Sequence, residues 1–104
     1  MPALAMSPSL TEGARAWARQ LATTGVLRHN PGFAEVVRSA SARPCGLVAE
    51  NVGVGPKAQL IQAALMNSAP HRANMLEPTF SVAGLGAARD ARGTIWVVQL
   101  FCAA

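Results

Sequence analysis

The C-terminal stretch of residues 95–101 constrains the fold most, because it has almost no polar face. A strand that is exposed on one side alternates apolar and polar residues, whereas a strand covered on both sides is apolar throughout. Gln99 is the one polar amide in this run of aliphatic and aromatic residues. The chain has 104 residues, enough for one domain and one core. We therefore predict a single domain, residues 1–104, in which helices cover both faces of this strand.

Helical periodicity occurs three times. The first helix is predicted over roughly residues 10–24, with Ser9 as its N-cap and Gly25 as its stop. A short second helix is predicted to bury Phe33, Val36 and Val37. A third helix, with Pro56 in its first turn, is predicted to bury Leu60, Ile61, Ala64 and Leu65. It should stop by Pro70, which places His71 just past its end.

Three segments have the composition of strands. Residues 47–52 form one, which Gly53 and Gly55 are expected to end. Residues 80–87 and 94–101 form the other two, and the loop between them has a late glycine, Gly93, that fits a hairpin with a bulge. Together these elements predict an α+β fold, a three-layer α-β-α sandwich with a mainly antiparallel central sheet.

Charge and hydropathy exclude several classes of function. The formal net charge is +4, but the arginines are scattered along the chain and there is no Tyr. Nucleic-acid binding is therefore not predicted, because it would need a basic stripe with interleaved aromatic residues. No apolar run reaches the roughly 20 residues of a transmembrane helix. The chain as given has no signal peptide, although Ala3-Leu4-Ala5 has the small-x-small pattern of a cleavage site.

The two cysteines, Cys45 and Cys102, leave two interpretations open. They are too few for a disulfide framework and too far apart for a zinc or redox motif. As a disulfide they would close a long loop and stabilise the fold by roughly 4 kcal/mol. As free thiols they would be two small buried apolar residues.

Three groups could form a chemical site, namely His29 in a turn, Glu50 at a strand and His71 near a helix end. Two imidazoles and one carboxylate can bind a divalent cation, and zinc suits such a set best. Without a metal, Glu50 could instead orient one histidine as a general base. No local ligand spacing chooses between these alternatives.

The neighbouring polar residues have simpler interpretations. Ser68 lacks the turn that exposes a hydrolase nucleophile, and we interpret it as a serine that bonds to the backbone at a helix end. Asn51 and Asn74 are expected to hold loop backbone in place, and Arg72 to pair with Glu77. These residues are predicted to support the site.

Several segments, in this order and spacing, resemble the CAP superfamily, also called SCP-like, and specifically its short bacterial branch. They include Leu27-Arg28-His29-Asn30 and Gly84-Leu85-Gly86, together with residues 14–18, 50–55, 68–76 and 95–101. The resemblance covers nearly the whole chain from Leu10 onward. It implies an α-β-α sandwich with a cleft lined by two histidines and two acidic residues.

His29, Glu50 and His71 match three positions of that tetrad, while the fourth, an acid in many relatives, falls at Ser68. Leu65 also departs from the family, whose members usually carry an aromatic residue there. The amphipathic helix that usually precedes the stretch at Pro2 is not found, which leaves three interpretations: a misplaced gene start, a fragment, or a shortened domain. A shortened domain is expected to expose an apolar patch. The resemblance implies a secreted or cell-envelope protein.

Three functions follow as hypotheses. The first is a binding module, without catalysis, whose cleft holds a divalent cation and a small or lipid-like ligand. The second is a hydrolase with a metal-activated or histidine-activated water. The third is a structural or interaction domain in which the histidines have no role. The missing second acid favours the binding module.

Overall fold

The computed structural model describes residues 4–104, so residues 1–3, including Pro2 and Ala3, lie outside the described part. Within it the chain forms, in order, β1 (Ala5–Met6), α1 (Pro8–Thr24), α2 (Phe33–Ala40), β2 (Val48–Gly55), α3 (Ala58–Asn67), α4 (Ala69–Leu76), β3 (Val82–Arg89) and β4 (Ile95–Cys102). None of the described helices is long and apolar enough to cross a membrane.

The sheet has the strand order β1-β3-β4-β2. Strand β4 is antiparallel to both β2 and β3 over eight residues each, which confirms the mainly antiparallel core of the sheet. The sheet is nevertheless mixed, because β1 pairs with β3 in parallel. Two residues are too few to show a strand period, which is why the sequence pattern did not reveal β1.

Helices cover both faces of the sheet, so the predicted three-layer sandwich is confirmed. Val98 and Leu100 of β4 pack with Leu10 and Ala14 of α1 on one face, where α2 also lies. The opposite face carries α3, whose Ile61 lies against β2. Both sides of β4 are therefore largely buried, as its apolar sequence predicted.

Glycines set the distance between layers. A Cβ on Gly53 would come within 2.7 Å of Ile61 Cγ2, so these glycines let α3 lie directly on the strand. The prediction that Gly53 and Gly55 end the strand is wrong for Gly53, because β2 continues past it and ends at Gly55. They serve close approach between backbone and helix, one of the uses of glycine inside a strand.

Two helix boundaries also differ from the predictions. The N-cap of α1 is Ser7, whose Oγ accepts a hydrogen bond from the Leu10 amide, because Pro8 already occupies the first helical position. Gly25 ends the helix in the left-handed conformation, with φ of 71°, as predicted. The chain also starts a new helix, α4, at Ala69, so His71 lies inside a helix and not past the end of one.

Helix α3 presents a narrower stripe to the sheet than predicted. Ile61 and Leu65 are buried, but Leu60 is 56% exposed and Ala64 is exposed too. Ile61 and Leu65, an i, i+4 pair on one face of the helix, are enough to cover β2, because its glycines let α3 pack close to the strand.

Cys45 and Cys102 form a disulfide, which decides between the two interpretations left open by the sequence. It ties the loop before β2 to the end of β4.

At the other end of the sheet, Asp90 organises the β3-β4 hairpin, where Gly93 has φ of 84°. The Asp90 carboxylate accepts hydrogen bonds from Trp96 Nε1 and the Thr94 and Arg92 amides, which lower its pKa.

Candidate functional site

The loop that carries His29 is held against α1 by Trp17. Trp17 Nε1 donates to the Arg28 carbonyl oxygen at 3.0 Å, and the Arg28 guanidinium lies over the indole ring, 4.9 Å from its centroid. At the other end of the loop, the Asn30 side chain accepts a hydrogen bond from the Gly32 amide. These contacts fix His29 on the α1 and α2 side of the sheet.

His29 and Glu50 form a close pair. The distance from His29 Nδ1 to Glu50 Oε1 is 2.8 Å, and the Asn30 amide donates to the same oxygen at 3.0 Å. Glu50 is only 4% exposed, whereas the His29 side chain is 60% exposed. Glu50 Oε2 is buried and has no hydrogen-bond partner among residues 4–104. The pair therefore presents an accessible imidazole backed by a buried carboxyl group.

Burial raises the pKa of Glu50 above its ordinary value of 4.5, and the hydrogen bonds from His29 and Asn30 oppose this only in part. The folded protein therefore binds more protons than the unfolded chain at pH values just above 4.5, so this group makes stability fall as pH rises through that range. We expect Glu50→Gln to remove this decrease, as measured by urea unfolding at several pH values from about 4 to 7. Equal slopes of stability against pH in the two proteins would contradict it.

His71 forms a second pair with Ser68 on the opposite side of the sheet. Ser68 Oγ lies 2.8 Å from His71 Nδ1, and although Ser68 is the N-cap of α4, its side chain bonds to no amide there. The carbonyl oxygen of His71 accepts a hydrogen bond from Asn51 Nδ2 at 3.0 Å. The residue at the fourth tetrad position thus contacts His71 through a hydroxyl group.

A buried network of side-chain amides connects the backbone of His71 to strands β2 and β4. Asn51 is fully buried, donates to Gln99 Oε1 at 2.9 Å and accepts from Asn74 Nδ2 at 2.9 Å. Gln99 in turn donates to Gln62 Oε1 at 3.1 Å. Sequence reasoning missed Gln62 and Gln99, although one amide in an otherwise apolar strand was the available signal.

The predicted pairing of Arg72 with Glu77 is not formed. The Glu77 carboxylate instead accepts hydrogen bonds from the Thr79 amide and hydroxyl group.

A pocket of about 200 Å³ lies at the edge strand β2 and is reached by both layers. Its lining is mostly apolar and consists of Leu27, Val52, Gly53, Val54, Ile61, Ala64, Leu65, Ser68 and His71. Leu27 comes from the loop that carries His29, whereas Ile61 and His71 come from α3 and α4. The pocket is thus lined both by the loop that carries His29 and by His71 itself.

The structure brings the three predicted site residues together only in part. Glu50 contacts His29, while His71 contacts Ser68, and within residues 4–104 no three His, Cys, Asp or Glu side chains converge as metal ligands would. The donors nonetheless have the right chemistry for a divalent cation, since Nδ1 is the hydrogen-bonded nitrogen of each ring. A carboxylate behind an imidazole is a usual outer partner of a metal ligand.

The described residues thus form an α-β-α sandwich that places one histidine from each outer layer beside its edge strand. It belongs to the CAP family, the cysteine-rich secretory protein family, whose sequence model matches residues 1–101. The resemblance seen in the sequence motifs is thereby confirmed.

Solved structures share this fold at low sequence identity. An outer surface protein from Borrelia burgdorferi is 16% identical, with a TM-score of 0.83 over 98% of this chain and 78% of that one. Venom allergen-like protein 4 from Schistosoma mansoni is 10% identical, with a TM-score of 0.74 over 98% of this chain and 68% of that one. No curated protein sequence gives a significant match.

Proposed function

We propose that this domain is a binding module and that its ligand site is the pocket at the edge strand β2. The observation that carries the proposal is the lining of that pocket, which is apolar except for two residues, Ser68 and His71. Ligand sites in proteins combine an apolar lining with a few placed polar groups. At about 200 Å³ the pocket is below the usual range for drug-sized ligands, so the ligand is small or inserts one apolar group, as a lipid-like molecule would.

A divalent cation is the second ligand that we propose, with zinc favoured. Nε2 of His29 and Nε2 of His71 would hold the cation. Glu50 would orient the His29 ring by accepting a hydrogen bond from its Nδ1. Ser68 in place of a second acid leaves less negative charge around such a cation. We therefore expect a weaker site than one with two carboxylates.

We also propose a secreted or cell-envelope location. The supporting observation is the disulfide between Cys45 and Cys102, because disulfides persist in oxidising compartments and are rare in the cytosol.

Zinc titration by calorimetry tests the cation proposal. We expect wild type to bind zinc and the His29→Ala/His71→Ala double variant to lose at least about tenfold in affinity, since two imidazoles are removed. Arg72→Ala is the matched control, because Arg72 is exposed next to His71 and should leave the affinity unchanged. Equal zinc binding by wild type and the double variant would reject the cation.

A hydrolase remains the second candidate because of one contact. Ser68 Oγ and His71 Nδ1 are at the distance expected of a nucleophile and its base. Against it, no carboxylate among the described residues hydrogen-bonds to His71, and Glu50, the acid of the site, is bonded to His29. The binding module is therefore the better supported function.

A further inference from the structure

The outer edge of β2 presents a defined set of backbone groups. The Ala103 amide donates to the Leu47 carbonyl oxygen at 2.8 Å, so residue 47 turns its backbone groups toward β4. Residues of an antiparallel pair alternate between bonding to the partner and facing away from it. From residue 47 onward, odd-numbered residues of β2 therefore bond to β4, and the even-numbered residues, including Val52 and Val54, point their N–H and C=O groups outward.

The outward backbone groups of this edge at Val52 and Val54 have no hydrogen-bond partner among residues 4–104. Outside the β2-β4 ladder, no hydrogen bond from these residues reaches the backbone of either valine. Both residues line the pocket described above, where Val52 is 6% exposed and Val54, which is 38% exposed, leaves the edge open to a ligand. Backbone groups in such a partly enclosed position are nearly always paired in native proteins.

We propose that the free edge of β2 at Val52 and Val54 binds an extended peptide segment, which adds to the sheet as a fifth strand. The inference rests on the proposed function and names the class of ligand for the same pocket. Outward N–H and C=O groups that recur at every second residue match the backbone of another extended chain. A lipid tail fills an apolar pocket but leaves these groups unpaired.

The flanking side chains define what the peptide carries. Leu27, which is 45% exposed, stands on one side of the edge, and Ile61 and Leu65 stand on the other. Side chains of an added strand alternate between these two sides. Both walls are apolar, so the segment carries small apolar side chains where it meets them. Ser68 and His71, the two polar residues of the lining, contact its polar groups.

A pair of substitutions at Val54 tests the proposal. Val54→Pro removes an outward N–H that β4 does not use, which an edge strand tolerates, whereas Val54→Thr keeps that N–H and nearly the same shape. The probe is an acetylated and amidated hexapeptide of alternating valine and threonine, titrated in the presence of a chelator and followed by NMR and amide hydrogen exchange.

In wild type at about 1 mM peptide, we expect the Val52 and Val54 amides to shift and to exchange more slowly by about tenfold or more. Val54→Thr should bind within about twofold of wild type, and Val54→Pro about tenfold more weakly. The same peptide with N-methyl groups at alternate residues should not bind. If Val54→Pro fails to fold, as judged by circular dichroism, the comparison of the two peptides on wild type decides.

Three results would overturn the proposal: no binding of the probe, equal binding by the proline and threonine variants, or protection at the other free edge. That edge belongs to β3, where the Ser7 amide bonds to the Ala83 carbonyl oxygen and Leu85 and Ala87 therefore face outward. Because the peptide titration contains a chelator, it does not depend on zinc. Failure of the peptide to bind would therefore leave the proposal of zinc binding at His29 and His71 untouched.

Discussion

Replacing Gly84 with alanine should be among the most damaging single changes in this protein. A Cβ at Gly84 would lie 2.2 Å from the carbonyl carbon of Leu10 and 2.4 Å from the Thr11 amide nitrogen, both in the backbone of α1. Backbone cannot rotate aside as a side chain can, so α1 has to move away from β3. We expect a loss of about 3 kcal/mol or more in the free energy of unfolding, measured by urea denaturation.

Gly46 is the matched control for this change. A Cβ there would meet its nearest atom, the Ala103 carbonyl oxygen, at 3.9 Å, and its φ is not positive. Gly46→Ala should therefore change stability by less than about 0.5 kcal/mol. Comparable losses from both substitutions would show that the contact between α1 and β3 is looser than described.

Removing the disulfide should have an effect of similar size. Cys45 and Cys102 are 57 residues apart, and a loop of this length corresponds to about 4 kcal/mol in the chain-entropy account. The Cys45→Ala/Cys102→Ala variant should therefore melt roughly 15 to 30 °C below wild type. Calorimetry under oxidising conditions measures this directly.

A reductant provides the control for the disulfide. Wild type in reductant should approach the melting temperature of the double alanine variant, and the variant itself should not respond to reductant. If wild type melts at the same temperature with and without reductant, while thiol titration shows that both cysteines are reduced, the disulfide contributes no stability.

The layers of the fold could be predicted from the sequence, because buried faces of helices and strands have a recognisable pattern of apolar residues. The run at β4 predicted a strand covered on both sides, and both faces are indeed covered. Gly53 was interpreted wrongly, because the sequence alone does not distinguish a glycine that ends a strand from one that lets a helix pack closely against it. Only the position of Ile61 against Gly53 tells them apart.

The sequence supplied the candidate site residues but not their contacts. His29, Glu50 and His71 were chosen from turns and family motifs, and spacing could not show that Glu50 faces the α1 side while its neighbour Asn51 faces α4. Alternation along β2 places consecutive residues on opposite faces. The pairing of Ser68 with His71 depended on α4, whose start at Ala69 was hidden by Pro70.

In the proposed arrangement, one histidine from each outer layer borders a single binding site at β2. NMR of the imidazole nitrogens during zinc titration is the sharpest test of this arrangement, because Nε2 of each ring is observed separately. We expect Nε2 of His29 and Nε2 of His71 to change together, at one zinc per chain, while Nδ1 of His29 keeps its bond to Glu50. Changes at only one ring, or at neither, would show that the two histidines do not share one cation site.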